Sequence, residues 1–215
     1  MTDNLFEAQY DITKKTKLRK IYEENKISIF SAITILIVIF VISSIYLKGL
    51  EKERIVLSER YIKSKVYLDN GEKNKALDLL KKTVLASDKT YSTLSFFLIL
   101  DQNLINDHNE LNLLFDHLLK NNKYEKELKD LIIYKKVLFN SNFAGEFKIL
   151  EDVKPLLKED NLWKPHALML LGDYFVSKNE HIKAREFYNK ILMLTKINKS
   201  LRDRATSQLI LISNY

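Results

Sequence analysis

The chain contains no cysteine. Structural disulfides, thiolate metal sites and cysteine nucleophiles are therefore excluded. An outer-membrane lipoprotein is excluded as well, because no cysteine is present to be acylated. Disulfide-free proteins occur in both oxidising and reducing compartments, so this absence does not locate the chain.

Glycine and proline are almost as scarce, with four glycines and two prolines in 215 residues. They leave little material for β-turns or for glycine-rich loops that cradle phosphate groups. No GxSxG, GxxxxGK[ST] or GxGxxG motif is present, so we expect no cofactor and no enzymatic activity. Leucine, isoleucine, lysine, asparagine and glutamate dominate, a composition that predicts helices joined by short turns.

The net charge of +7 is modest, and the charged residues are spread along the chain. Because a nucleic-acid-binding protein gathers positive charge on one face, we predict no such partner. The histidines also lack metal-ligand spacing: His108 and His117 stand about two and a half helical turns apart, and His166 and His181 are no better spaced. We therefore expect no metal site and interpret the histidines as solvated or capping residues.

One segment, Ile27–Leu47, is free of charged side chains and bounded by Lys26 and Lys48. As a helix it would be about 31 Å long, enough to cross the hydrocarbon core of a bilayer. A buried core helix is one alternative, although soluble helices are rarely apolar all round. A cleaved signal peptide is another, but the run is longer than a usual h-region and no small-x-small cleavage site follows it. We predict an uncleaved transmembrane anchor at 27–47.

The flanking charges predict the orientation of this anchor. Six Lys or Arg residues lie within fifteen positions before the apolar segment, and four lie within fifteen positions after it. The positive-inside rule then favours a cytoplasmic N-terminal segment at 1–26 and a translocated domain at 48–215.

Beyond the anchor, apolar residues recur at helical spacing, most clearly in the stretch LNLLFDHLLK, and no stretch alternates as a half-buried strand does. Short polar breaks separate the helical patterns, which are about 12–16 residues long. Pro155 should end or kink one helix, and Pro165 suits the first turn of the next. The sequence therefore predicts an all-α domain of successive helices.

Two stretches of this domain share one spacing. Tyr67, Gly71, Ala76 and Leu80 align with Phe175, Asn179, Ala184 and Tyr188, at a distance of 108 residues that is close to three periods of 36. Between them, roughly over 94–158, the helical periodicity continues without a clean signature. We predict a helix-pair unit that repeats about every 34–36 residues, and a generic helical array is the alternative.

The second stretch matches the tetratricopeptide pattern closely. Its Leu-Gly, aromatic, alanine and aromatic positions are occupied by Leu171, Gly172, Phe175, Ala184 and Tyr188. Glycine inside a helix costs about 1 kcal/mol relative to alanine. We interpret Gly172 as the site where two helices approach closely, with Ala184 as the small residue opposite and the two aromatic rings beside them. In the first stretch Ser64 stands where this glycine would be.

The order of an N-terminal span followed by divergent tetratricopeptide repeats resembles the YfgM-like family of ancillary subunits of the bacterial SecYEG translocon. The similarity includes LLGDYFVSKNEHIKAREFYNKIL, in which the Gly172-Asp173 pair with Ala184-Arg185 and Tyr188 is the closest local match. The final LRDRATSQLILI resembles the family's closing helix. The resemblance implies an inner-membrane protein with a single span, a cytoplasmic N-terminus and a periplasmic tetratricopeptide-like solenoid. It also implies association with the translocon and with a membrane-anchored periplasmic chaperone, in support of protein secretion.

Two other functions remain open. One is an anchored repeat scaffold for envelope assembly or division, which would have no translocon contact. The other is an anchored enzyme whose site is built from scattered carboxylates, which a pocket of acidic residues with shifted pKa values would support. Trp163 and Tyr174 could contact a partner, although we expect Trp163 to pack between helices.

Overall fold

The computed structural model describes residues 22–213, and within this range all regular structure is helical. The chain divides into two compact units, Met1–Val56 and Leu57–Tyr215, which we treat separately. The second unit therefore begins at Leu57, nine residues after the domain boundary expected from the sequence.

The N-terminal unit contains the first 31 residues of a long helix, α1 (Lys26–Asp69). This helix is long and apolar enough to cross a membrane, and none of its most apolar window is buried. Its apolar residues are therefore not the core of this unit, which argues against the alternative of a buried core helix. The predicted span 27–47 lies inside α1, and the helix continues without a break beyond Lys48.

The second unit contains the remainder of α1 and eight further α-helices. Their bounds are α2 (Lys73–Val84), α3 (Tyr91–Asp101), α4 (His108–Asn121), α5 (Lys126–Asn140), α6 (Glu146–Val153), α7 (Lys164–Ser177), α8 (His181–Leu192) and α9 (Lys199–Ile212), with a 3-10 turn at Lys154–Leu157. Each polar break in the sequence overlaps a gap between two of these helices. The prolines act as predicted, because α6 ends just before Pro155 and Pro165 lies in the first turn of α7.

Two apolar clusters form the core of this unit, and α5 contributes to both. The first lies among α2 to α5 and centres on the buried rings of Phe96 and Phe115, whose centroids are 4.5 Å apart. The second lies among α5 to α9 and contains seven buried residues of α7. Helix α7 is thus the most deeply packed element of the unit, because almost every side of it is covered.

Three helix ends close in the same way. Gly71 follows α1 with φ of +77°, Asn103 follows α3 with φ of +49°, and Asn179 follows α7 with φ of +60°. In each case the backbone N–H of the following residue donates to the carbonyl of the residue five positions before it. Examples are the bond from Glu72 to Tyr67 at 2.8 Å and the bond from Glu180 to Phe175 at 2.9 Å. This left-handed cap suits glycine and asparagine and satisfies a carbonyl at the helix end.

Candidate functional site

Helices α7 and α8 approach each other closely at Gly172. A Cβ atom added to this glycine would lie 2.7 Å from Cδ1 and from Cζ of Tyr188, and closer still to Cε1. Gly172 therefore accommodates the ring of Tyr188. The sequence had suggested Ala184 as the residue opposite the glycine, but the three nearest atoms all belong to the tyrosine. Ala184 is fully buried on the same helix, α8.

A hydrogen-bonded chain continues from this contact to α9. The Tyr188 hydroxyl donates to Oδ1 of Asp173 at 2.8 Å, and a guanidinium nitrogen of Arg204 donates to Oδ2 of the same carboxylate at 2.6 Å. Burial, and then the bond to Asp173, raise the pKa of Tyr188 far above its usual value. Asp173 thus joins α7, α8 and α9 through one carboxylate.

The aligned alanines, Ala76 and Ala184, and the residues four positions later are fully buried in both stretches, whereas the aligned aromatic residues differ. Ala76 and Leu80 in α2 are fully buried, as are Leu171 in α7 and the ring of Tyr188 in α8. Tyr67 is only partly buried and lies near two lysine ammonium groups, whereas Phe175 is buried and stacks on Phe187 with ring centroids 5.4 Å apart.

At the position equivalent to Gly172, Ser64 is buried in α1. Its hydroxyl donates to the carbonyl of Tyr61, three residues earlier in the same helix, at 2.6 Å. The serine therefore satisfies its polar group without a partner on another helix.

Two cavities share part of their lining, and we refer to them together as the inner groove. The first cavity, of about 370 Å³, lies among α5, α7 and α9, and the second, of about 570 Å³, lies among α3, α4 and α5. Leu138, Ser141 and Asn142 line both cavities and connect them. A groove of this size suits a peptide segment or a side chain of a partner protein.

Aromatic side chains form one wall of the first cavity. Tyr134 on α5 stacks on Trp163 with ring centroids 5.2 Å apart, and His166 on α7 lies 5.4 Å from the tryptophan. Trp163 thus packs against α5, as expected. Burial raises the pKa of Tyr134, whereas burial and the nearby Arg204 lower the pKa of His166. The histidine therefore favours its neutral form in this wall.

Two further cavities near the N-terminal ends of α3 and α5 extend this surface. The first is lined by Leu94, Phe97 and Leu128, and the second by Leu128, Leu131 and Leu162 together with Trp163 and His166. Lys89 and Glu125 also line the first of these cavities and Glu127 the second, so their lining is partly charged.

The histidines are dispersed over this unit. His117 lies within hydrogen-bond distance of Ser87 and Asn121, and the His108 ring packs against Phe143. Among residues 22–213, no group of three or more histidine and acidic side chains is placed to hold a metal ion. The chemistry that the inner groove offers is therefore apolar contact, hydrogen bonding and a few charged groups.

The chain matches no known protein-family model, no curated protein and no solved structure.

Of the residues predicted from the sequence to have a packing role, Gly71 is exposed and Tyr67 is only partly buried, whereas the others named above are buried. Among the groove residues, the sequence indicated only Tyr174 as a possible partner contact. The groove residues Tyr134, Lys135 and Arg204 belong to helices without a repeat signature or to the closing helix. Asp173 had no predicted role beyond its place in the Gly172-Asp173 pair of the family resemblance. These residues lack a distinctive spacing, because helices far apart in the sequence bring them together.

Proposed function

We propose that the chain is a non-enzymatic, membrane-anchored repeat protein that holds a segment of a partner protein in its inner groove. The observation that carries this proposal is the inner groove, whose two cavities share lining residues and lie among α3, α4, α5, α7 and α9. It offers apolar and aromatic walls, which are the usual lining of a peptide site. An anchor confines such a groove to the membrane surface and raises its effective concentration near membrane partners.

We further propose that the second unit is a tetratricopeptide-like solenoid. The support is the recurrence of one local design 108 residues apart: a left-handed cap at Gly71 and at Asn179, followed after five residues by the fully buried Ala76 and Ala184. Stacked helix pairs of this kind form extended concave surfaces. Helix α9 would then close the stack, tied to α7 through Arg204 and Asp173.

The role that fits best is that of an ancillary subunit of the SecYEG translocon, which would link it to a periplasmic chaperone and assist secreted proteins. In this proposal the N-terminus is cytoplasmic and the second unit is periplasmic. The support is the order of an apolar helix followed by a peptide-sized groove, together with the charge bias around the span. The alternative is an anchored scaffold for envelope assembly or division.

Crosslinking in native membranes, followed by mass spectrometry of the proteins recovered with the chain, separates these roles. A photoreactive residue at Leu138 in the groove is compared with one at Lys190 on α8. Translocon subunits and a periplasmic chaperone that are recovered from Leu138 but not from Lys190 support the translocon role. Division or assembly proteins without translocon subunits would move the function to the scaffold.

A further inference from the structure

The part of the inner groove between α3 and α5 carries an unbalanced positive charge. Its walls combine polar side chains with apolar ones, among them Leu100 from α3 and Leu138 and Phe139 from α5. The charged or titratable side chains in this wall are Lys135 and His108, and no carboxylate from the described part of the chain lines it. An apolar pocket with one ammonium group favours a ligand that brings both an apolar group and a negative charge.

Lys135 is available to such a ligand, whereas its neighbour is not. Lys136 donates to Asp116 on α4 at 2.6 Å, and only 14% of its side chain is exposed. Lys135 is exposed, and none of the ion pairs or hydrogen bonds found within 22–213 involves it. Adjacent helix positions point about 100° apart, so one ammonium group faces α4 and the other faces the groove.

The other charged groups of the groove are already balanced. Asp173 accepts hydrogen bonds from Tyr188 and Arg204, so its charge is compensated from two sides. Asn142 lines both cavities, is exposed, and takes part in none of the hydrogen bonds found among residues 22–213. A free side-chain amide can both donate to and accept from a peptide backbone.

We infer that the inner groove selects extended peptide segments in which an apolar side chain lies next to a carboxylate. The apolar side chain packs against Leu138 and Phe139, the carboxylate pairs with Lys135, and Asn142 hydrogen-bonds the peptide backbone. This inference rests on the proposed function and specifies the partner that the groove takes. Because the ion pair between Lys135 and the peptide carboxylate is exposed to water, it affects which peptide is preferred more than how tightly any peptide binds.

Two fluorescein-labelled ten-residue peptides test the inference on the full chain in zwitterionic lipid nanodiscs. Both contain a Leu-Phe pair, which is flanked by two aspartates in one peptide and by two lysines in the other. Fluorescence anisotropy measures their binding. We expect the aspartate peptide to bind more tightly, and Lys135→Glu to weaken its binding about tenfold by reversing one charge pair.

The matched control is Lys129→Glu, which makes the same charge change on the exposed side of the same helix, outside both cavities of the groove. It should leave binding within about twofold of the wild type, because exposed charges about 10 Å from a ligand are largely screened. Lys135→Gln serves as a second variant if the reversal lowers stability, with an expected loss of about two- to fivefold.

Equal binding of the two peptides, equal effects of the two glutamate variants, or no binding of either peptide would overturn the inference. Displacement of the aspartate peptide by a second copy of the chain would also overturn it. If the peptide preference is absent while the Leu138 crosslinks persist, only this inference fails. If the crosslinks are absent while the preference holds, the proposed function fails instead.

Discussion

Replacement of Gly172 by alanine tests the close contact between α7 and α8. The added methyl group would lie 2.7 Å from Cδ1 and Cζ of Tyr188, whereas carbon atoms pack best at about 3.5–4.0 Å. The ring would therefore have to move by about 1 Å. It is fully buried and its hydroxyl is bonded to Asp173, so a movement of the ring also disturbs its neighbours.

The magnitude follows from two opposing effects. Overpacking of a core costs about 1–3 kcal/mol, whereas alanine in place of a mid-helix glycine gains about 1 kcal/mol. We expect Gly172→Ala to lower the free energy of unfolding by about 1 kcal/mol, and Gly172→Leu by the full 1–3 kcal/mol or more. A loss of 1 kcal/mol corresponds to a melting temperature about 2–4 °C lower for a unit of this size.

The assay is urea unfolding of the full chain in detergent micelles, monitored by tryptophan fluorescence. Trp163 is the only tryptophan in the chain and stacks on Tyr134, so its signal reports on the second unit. The control is the same substitution in a Tyr188→Leu background, where the ring is absent. There Gly172→Ala should stabilise the protein by about 1 kcal/mol, because only helix propensity remains. An alanine that stabilises the wild-type background, or that has equal effects in both backgrounds, would refute the close contact.

Four further predictions concern single side chains. Tyr188→Phe should cost about 0.5–1.5 kcal/mol in urea unfolding through the lost hydrogen bond to Asp173, and an unchanged midpoint would contradict this. Gly71→Ala should lower the free energy of unfolding by about 1 kcal/mol, because the φ of +77° at this position is unfavourable for a residue with a Cβ atom. An unchanged melting temperature without a shift in the backbone NMR signals of this cap would contradict the prediction. The pKa of His166 is lowered in the folded state, so its neutral form contributes to stability above about pH 6.5, and this contribution should be lost as the pH falls. His166→Gln should remove this loss, as measured by the free energy of unfolding between about pH 7 and 5. Val38→Arg should weaken membrane association, since an arginine at the centre of a span costs about 2.5–3.5 kcal/mol, and release of the wild-type chain from the membrane fraction by alkaline extraction would argue against the anchor.

The sequence already specified the local structure of this chain. Helical periodicity and polar breaks located the helices, and prolines marked the end of α6 and the start of α7, because these signals act through the backbone of a few neighbouring residues. The apolar segment at 27–47 was equally clear, because length and lack of charge are properties of the sequence itself. Gly172 signalled a close contact, since glycine inside a helix has a cost that packing must offset.

The tertiary structure alone decided which side chains meet. The side chain nearest to Gly172 is the ring of Tyr188. Ala184 and Tyr188 are four residues apart and share one face of α8, so only the packed position of α8 along α7 decides which of them meets the glycine. Likewise, Lys135 and Lys136 are indistinguishable in the sequence, yet one is paired with Asp116 and the other lines the inner groove. Such differences arise from the packing of helices that are distant in the sequence, which no local pattern encodes.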